Sequence, residues 1–420
     1  MGGEVQVRTI FHILVATLIL VVTASGSLFG QDYFKTYANP QGLPVKMYFI
    51  KVVPGKPDFR KTQLLRVDDT KGTIKLSEGD FLLRDLEKQN IKRFEYEFPR
   101  QTLENLKKLA DEQYDDPKVL AAVRPVMYRV LPFHEINPEF FPIHDNCLIY
   151  VQALIAMEQY NEALSLLYKL NLKRLDDYEY REFSEAALDL AGKMIATNPK
   201  AAPHVRVLLA KVNIRNNGAD HEAFKALCDT LRQKKLYQYA IEAYVRLGAN
   251  LQKAPNSPVR KLVAIWPIYC HLKMYELYAP HAASNPQYAA AASKAFNTAD
   301  QGLKKLAENP PKRQTNEYSL YKLLRALVRV QYARRYEAQG NEERAEHYYR
   351  ESVLEVTEGI VMARVGLDWL PESLLMAGSA YEKLNFNEAA RNIYQQVVIF
   401  YKDSAWAAEG KKRIANLPPA

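Results

Sequence analysis

The sequence predicts a mainly α fold, a run of stacked helical hairpins preceded by a small β-rich segment. Three observations lead there. From about Thr102 to the C-terminus, apolar residues recur at helical spacing in stretches broken by short turn signals. Between Val45 and Phe98 the period is two. The 420 residues include only 17 glycines, below the usual roughly 7%, which argues against phosphate-cradling glycine loops and all-β architectures.

The chain opens on what reads as an address, residues 1–30. Ile10 to Val22 is an apolar run interrupted only by His12 and Thr17. Arg8 precedes it, and the small residues Thr23 to Ser27 follow. That order is the layout of a secretory signal peptide. The run is shorter than the roughly 20 residues of a comfortable membrane span. Glu4 offsets Arg8, so an uncleaved anchor extending to Phe29 is the alternative. No cysteine follows the run to carry a lipid at this junction.

Residues 43–98 come next as a small β-rich domain. Val45, Met47, Phe49 and Lys51 alternate with Lys46, Tyr48 and Ile50, and the run ends at Pro54 and Gly55. Gln63 to Val67 and Thr73 to Leu76 flank Asp68-Asp69-Thr70-Lys71-Gly72, good chemistry for a hairpin turn. Ile91 to Phe98 closes the segment, with Phe94, Tyr96 and Phe98 on one face. A small barrel or a curled antiparallel sheet is expected, leaning on the helices for stability because so short a segment buries little surface.

Residues 99–143 form a helix and a proline-rich connection. Leu103, Leu106 and Leu109 are placed on one helix face. Pro125 to Pro142, with four prolines, reads as a linker or an irregular packed connection.

Residues 144–416 carry a repeat. In the stretch beginning at Leu148, Tyr160, Ala163, Leu167 and Leu170 share one face of a second helix after a short turn. Tyr237, Ala240, Tyr244 and Leu247 repeat that spacing. A third copy has Ala333 and Tyr336, a turn at Gly340, then Ala345 and Tyr349. The fourth has Leu374, Gly378 and Tyr381, then Ala390, Tyr394 and Val397, with Phe386 one residue out of register with Tyr160 and Tyr237. Small residues belong where helices cross and aromatics where they wedge together.

At these positions the chain resembles the tetratricopeptide repeat (TPR) family of the cell-envelope type. The ending Tyr401-Lys402-Asp403-Ser404-Ala405-Trp406 is similar to that family's closing motif, with Lys402 where proline is usual. The resemblance implies a right-handed superhelical α-solenoid whose first helices line a concave surface for peptides or extended protein segments. The anchoring alanines are 77, 105 and 45 residues apart, not multiples of the family's roughly 34, so an irregular TPR-like solenoid is expected. Lengthened helices then fall around Tyr180 to Ile195 and Pro258 to Tyr278.

The formal net charge is +9, but the basic residues are scattered in doublets such as Lys234-Lys235 and Arg334-Arg335, densest at Lys411, Lys412 and Arg413. That reads as solvated helix faces and argues against nucleic acid as a partner. Cys147, Cys228 and Cys270 lie far apart in apolar helical stretches, not at metal-ligand spacing, and any disulfide among them is left open. His134-Glu135 and His144-Asp145 lie in or beside the proline-rich connection, close enough in sequence to suggest a metal or acid–base site. Lacking fixed helical spacing, they read as solvated or helix-capping residues.

The expectation is a periplasmic or secreted, non-catalytic scaffold of a bacterial-type envelope. It binds a protein or peptide partner in a helical-repeat groove, needs no cofactor, and meets a membrane only through an uncleaved N-terminal segment. The alternative is a charge-driven binder of a polyanion or surface glycan. An enzyme with a site around His134 to Asp145 ranks third.

Overall fold

A computed structural model of the protein describes residues 32–68, 71–363 and 367–418. The chain divides into two compact units, Met1–Asn213 and Ile214–Ala420. The expected export segment at residues 1–30 lies outside the described residues. Among the described residues, no helix is long and apolar enough to cross a membrane. The fold is mostly helical, with one small antiparallel sheet.

The sheet belongs to the first unit. Its strands are β1 (Leu43–Phe49), β2 (Phe59–Asp68), β3 (Thr73–Leu76), β4 (Gly79–Leu82) and β5 (Ile91–Glu95), in the order β4-β3-β2-β1-β5. Alternation puts Leu43, Val45 and Met47 into the core, with Leu64, Ile74, Leu76 and Phe94. Phe49 leaves the pattern because the β1–β5 register slips between Tyr48 and Phe49. The expected turn runs from Asp68, whose Oδ1 accepts the Lys71 N–H at 3.2 Å, to Gly72 at φ +60°. Asp69 and Thr70 lie outside the described residues. β5 stops at Glu95, and Tyr96 and Phe98 pack edge to face at 4.9 Å beyond it. β4 was not expected: Gly-Asp-Phe-Leu carries no alternation, and it exists as the pairing partner of β3.

Helix α1 (Tyr33–Tyr37) was also not anticipated. It is too short to form alone, and it rests on Tyr128, whose ring centroid lies 4.7 Å from Phe34 and 5.4 Å from Tyr33. In α2 (Arg100–Ala110), Leu106 and Leu109 are buried with Thr102 and Asn105, but Leu103 is 46% exposed. Three steps of 100° fall short of a full turn, so a 3-3 spacing drifts off the face that 3-4 spacing maintains.

The proline-rich stretch is core. Helix α3 (Pro117–Val130) continues through Pro125, and Leu131, Phe133, Ile136, Phe141 and Ile143 behind it are buried. Of the two readings offered for Pro125 to Pro142, the packed connection is the one found. Helices α4 (His144–Ala156), α5 (Tyr160–Lys169), α6 (Leu172–Asp177), α7 (Glu182–Thr197) and α8 (Ala202–Lys211) complete the first unit.

The second unit is helical throughout its described residues. Its helices are α9 (Gly218–Gln233), α10 (Tyr237–Asn250), α11 (Arg260–Tyr278), α12 (Pro286–Glu308), α13 (Asn316–Ala338), α14 (Glu342–Met362), α15 (Leu370–Lys383), α16 (Asn387–Phe400) and α17 (Ala405–Asn416).

Four hairpins, α4–α5, α9–α10, α13–α14 and α15–α16, share one turn. Each first helix ends on a residue with positive φ: Glu158 (59°), Lys235 (60°), Gly340 (72°) and Asn385 (64°). The N–H of the following residue reaches back five positions: Gln159 to Leu154 O, Leu236 to Leu231 O, Asn341 to Tyr336 O, Phe386 to Tyr381 O. That is a Schellman cap, which satisfies carbonyls the helix end leaves over. The second helix starts at once, and five residues beyond each left-handed position stands an alanine: Ala163, Ala240, Ala345 and Ala390. All four are buried.

Candidate binding groove

The repeat residues singled out from the sequence lie mainly inside the hairpins. Ala163, Leu167, Tyr237, Ala240, Tyr244, Ala345, Tyr349, Ala390 and Tyr394 are buried, while Tyr160, Tyr336 and Tyr381 are half-buried. Four residues past the alanine, the second helix presents Leu167, Tyr244, Tyr349 or Tyr394. The three tyrosines each donate to a carboxylate near the end of the first helix: Tyr244 to Asp229, Tyr349 to Glu337 at 3.0 Å and Tyr394 to Glu382 at 2.9 Å. Where leucine replaces tyrosine, the bond runs the other way, from Tyr150 to Glu162 at 2.6 Å. Gly378 lies flat against Tyr394, so a Cβ there would overlap the ring, with Cζ at 2.9 Å.

Of the His134-Glu135 and His144-Asp145 pairs only Asp145 is exposed, standing in the first turn of α4 where a carboxylate suits the helix end. Both rings are buried. His134 Nδ1 meets the Leu131 carbonyl at 2.8 Å, its Nε2 accepts the Asn171 N–H at 2.8 Å, and His144 Nε2 meets the His134 carbonyl at 2.8 Å. This is the bonding of neutral imidazoles used as staples. Burial pushes His134 down to about 4, and burial lowers His144 as well. Among the described residues no group of three His, Cys, Asp or Glu is placed to hold a metal. The three cysteines are free, buried thiols, and burial raises Cys270 to about 12.

The concave feature of the second unit is built from alternate helices. α11 packs against α13, α13 against α15, and α15 against α17. Between them lies a cavity of about 200 Å³. It shares Glu276 and Arg334 with an open depression of about 500 Å³ that runs to the end of α11, so the two form one groove.

The floor of the groove is a fixed charge cluster. Lys273 Nζ lies 2.5 Å from Glu372 and 2.7 Å from Glu276, and Tyr269 donates to Glu372 at 2.7 Å. Burial disfavours the ammonium, but the two carboxylates outweigh it and hold Lys273 protonated. It therefore serves as a cation, not as a free amine. Apolar contact is offered by Leu327, Val330, Leu375, Met376 and the half-buried Trp406. The rim carries Arg334, Lys383 and Arg413. Lys383 pairs with Glu337 at 2.6 Å, and Arg413 with Glu409 at 2.9 Å.

A second concavity of about 420 Å³ opens between α12 and α13. Tyr336 and Tyr348 stack there at 5.5 Å with 4° between planes, and Tyr332 lies 5.5 Å from Tyr348. Arg329 and Arg344 cover this stack at 5.7 and 5.4 Å. Tyr348 is half-buried in this wall, next to the buried seam residue Tyr349.

Most groove residues escape sequence reading because they come from four helices spread over more than a hundred positions. Tyr349, in the third repeat copy, Trp406, in the closing motif, and the basic Arg334 and Arg413 are the exceptions, though none of them is legible as a groove residue. A comparison with known proteins finds no matching family model and no matching curated relative.

Proposed function

We propose that the chain is a non-catalytic interaction scaffold, exported to a bacterial-type envelope, that holds an extended protein segment in the groove between α11, α13, α15 and α17. The proposal includes a TPR-like solenoid arrangement of the hairpins. Supporting it are the four identical Schellman turns, the alanine five residues after each, and the contacts between alternate helices. A hairpin of this kind buries its apolar face only against a neighbour, and stacking leaves a surface lined by alternate helices.

The observation that carries the binding reading is the composition of the groove. Apolar side chains lie beside a charge cluster already satisfied internally, so an incoming backbone meets fixed donors and acceptors without first breaking strong pairs.

The test places a photo-crosslinking amino acid at Leu375 and, as control, at the exposed Val245 of the full chain, in envelope extract at low and high salt. A protein adduct confined to position 375 and surviving high salt is expected, and Met376→Asp abolishes it. Equal labelling at both positions sinks the groove reading. Recovery of salt-labile polyanions alone favours the charge-driven alternative, for which the tyrosine–arginine wall around Tyr348 is the natural site.

A further inference from the structure

The nine-residue connection between β1 and β2 does something an ordinary loop does not: it is held by hydrogen bonds at its tip and base, yet apolar and exposed. Ile50, Val52 and Val53 are 47%, 45% and 57% exposed, three large aliphatic side chains within four positions. Solvent-facing loops rarely cluster such residues unless they meet an apolar phase.

The tip is built, not slack. Val53-Pro54-Gly55-Lys56 is a tight turn closed by the Lys56 N–H on the Val53 carbonyl at 3.0 Å, with Gly55 at φ +81°. Pro at the second position and a left-handed Gly at the third are the residues a type II turn requires. Asn90, itself at φ +65°, clamps the base. Its Oδ1 accepts the Lys51 N–H at 2.7 Å, its Nδ2 donates to the Lys51 carbonyl at 3.2 Å, and its own carbonyl accepts the Ile50 N–H at 3.1 Å.

The tip itself carries a small positive surplus, Lys51 and Lys56 against Asp58. On the clamping segment Lys88 is taken up by Asp85 at 2.8 Å. An aliphatic tip flanked by two lysines is an arrangement that partitions into the headgroup region of an anionic bilayer, apolar groups inserted and ammonium groups at the phosphates.

We propose that the β1–β2 tip is a membrane-contact element that inserts Ile50, Val52 and Val53 into the interface of an anionic lipid surface. The residues of this contact are other than those of the N-terminal apolar segment and of the groove. The preformed turn means that little chain entropy is lost on insertion.

Cys147, Cys228 and Cys270 are buried, so a cysteine introduced on the surface of the full chain is labelled selectively. A polarity-sensitive fluorophore is attached at Val53→Cys, and separately at Val245→Cys as control. Each is titrated with vesicles of phosphatidylcholine alone or equimolar with phosphatidylglycerol. A blue shift at position 53, on the anionic vesicles only and absent at position 245, is expected. Lys51→Glu with Lys56→Glu raises the lipid concentration at half-saturation by roughly tenfold or more. No shift at position 53 overturns the proposal. So does an equal shift on phosphatidylcholine that ignores the lysine reversal, which assigns binding to the N-terminal segment. A shift that needs added envelope protein overturns it too, and makes the tip a protein-docking site.

Discussion

The guanidinium of Arg232 lies 3.7 Å from the centroid of the Trp266 ring, buried beneath the end of α9. The same group reaches Asp368 at 3.1 Å and Asp229 at 3.5 Å, and Trp266 meets Trp369 edge to face at 5.5 Å. One side chain thus ties α9, α11 and the residues before α15, segments up to 136 positions apart in sequence. Removing it takes the cation off the indole face and leaves Asp368 to solvent, while Asp229 keeps Lys225 and Tyr244. Arg232→Met is expected to cost roughly 1–3 kcal/mol, and Arg232→Lys to recover only part, because an ammonium cannot lie flat on the ring while bonding both aspartates. Urea unfolding followed by tryptophan fluorescence measures both. A loss below about 1 kcal/mol for the methionine variant contradicts the stapling role.

Gly378 and Tyr394 form a size-matched pair. A methyl group at position 378 pushes the ring off its place and away from Glu382. Gly378→Ala is expected to destabilise by roughly 1–3 kcal/mol, and the same change on a Tyr394→Leu background by much less. Additive losses in this double-mutant cycle argue that the two residues do not constrain each other.

The left-handed turn positions yield a prediction of opposite signs. Gly340→Ala, at φ +72°, is expected to cost about 1 kcal/mol, whereas Lys235→Gly, at φ +60°, is expected to stabilise by a similar or smaller amount. Melting temperatures moving in the same direction for both variants refute the shared-turn account.

The stapled histidines set an acid limit. Burial lowers His134 from 6.5 to about 4 in the folded chain, so between those values the unfolded chain binds the extra proton. The contribution is fully present above about pH 6.5 and is lost as the pH falls toward 4, on the order of 3 kcal/mol in all. His144 shifts in the same direction. Calorimetry is expected to show the first unit's melting temperature falling through that window, and His134→Gln to flatten the slope even where it lowers overall stability. A slope unchanged by the substitution assigns the acid sensitivity elsewhere.

Much of the local structure was legible because it depends on spacing. Period two places Val45 and Met47 in the sheet core, and the Ala-x-x-x-Tyr steps at Ala240, Ala345 and Ala390 mark the second helices of their hairpins. Leu103 and Phe49 departed from their expected faces through a 3-3 spacing and a register slip, both small geometric offsets that a short pattern does not encode. Without fixed helical spacing, the His134 and His144 pairs read as solvated or helix-capping; His134 does close the Leu131–Phe133 turn, but both rings are buried. The structure shows why burial is tolerated: backbone groups from Leu131, Asn171 and His134 itself supply partners that no local pattern announces.

Sequence patterns alone mark most of the element types, a β-rich segment ahead of the long helical run, and the positions of the four hairpins, because helix and strand periods and small crossing residues act over a few neighbouring positions. Tertiary structure alone decided the groove. Lys273 and Glu372 are 99 positions apart, and their pairing rests on which faces of α11 and α15 are brought together. It also decided the fate of weak segments: α1 and β4 hold their shapes only against Tyr128 and β3, since neither buries enough surface to order itself. Glu158, Lys235 and Asn385 adopt a left-handed backbone more often left to glycine, because the cap bonds and the helix packed behind each turn outweigh a strain of roughly 1 kcal/mol.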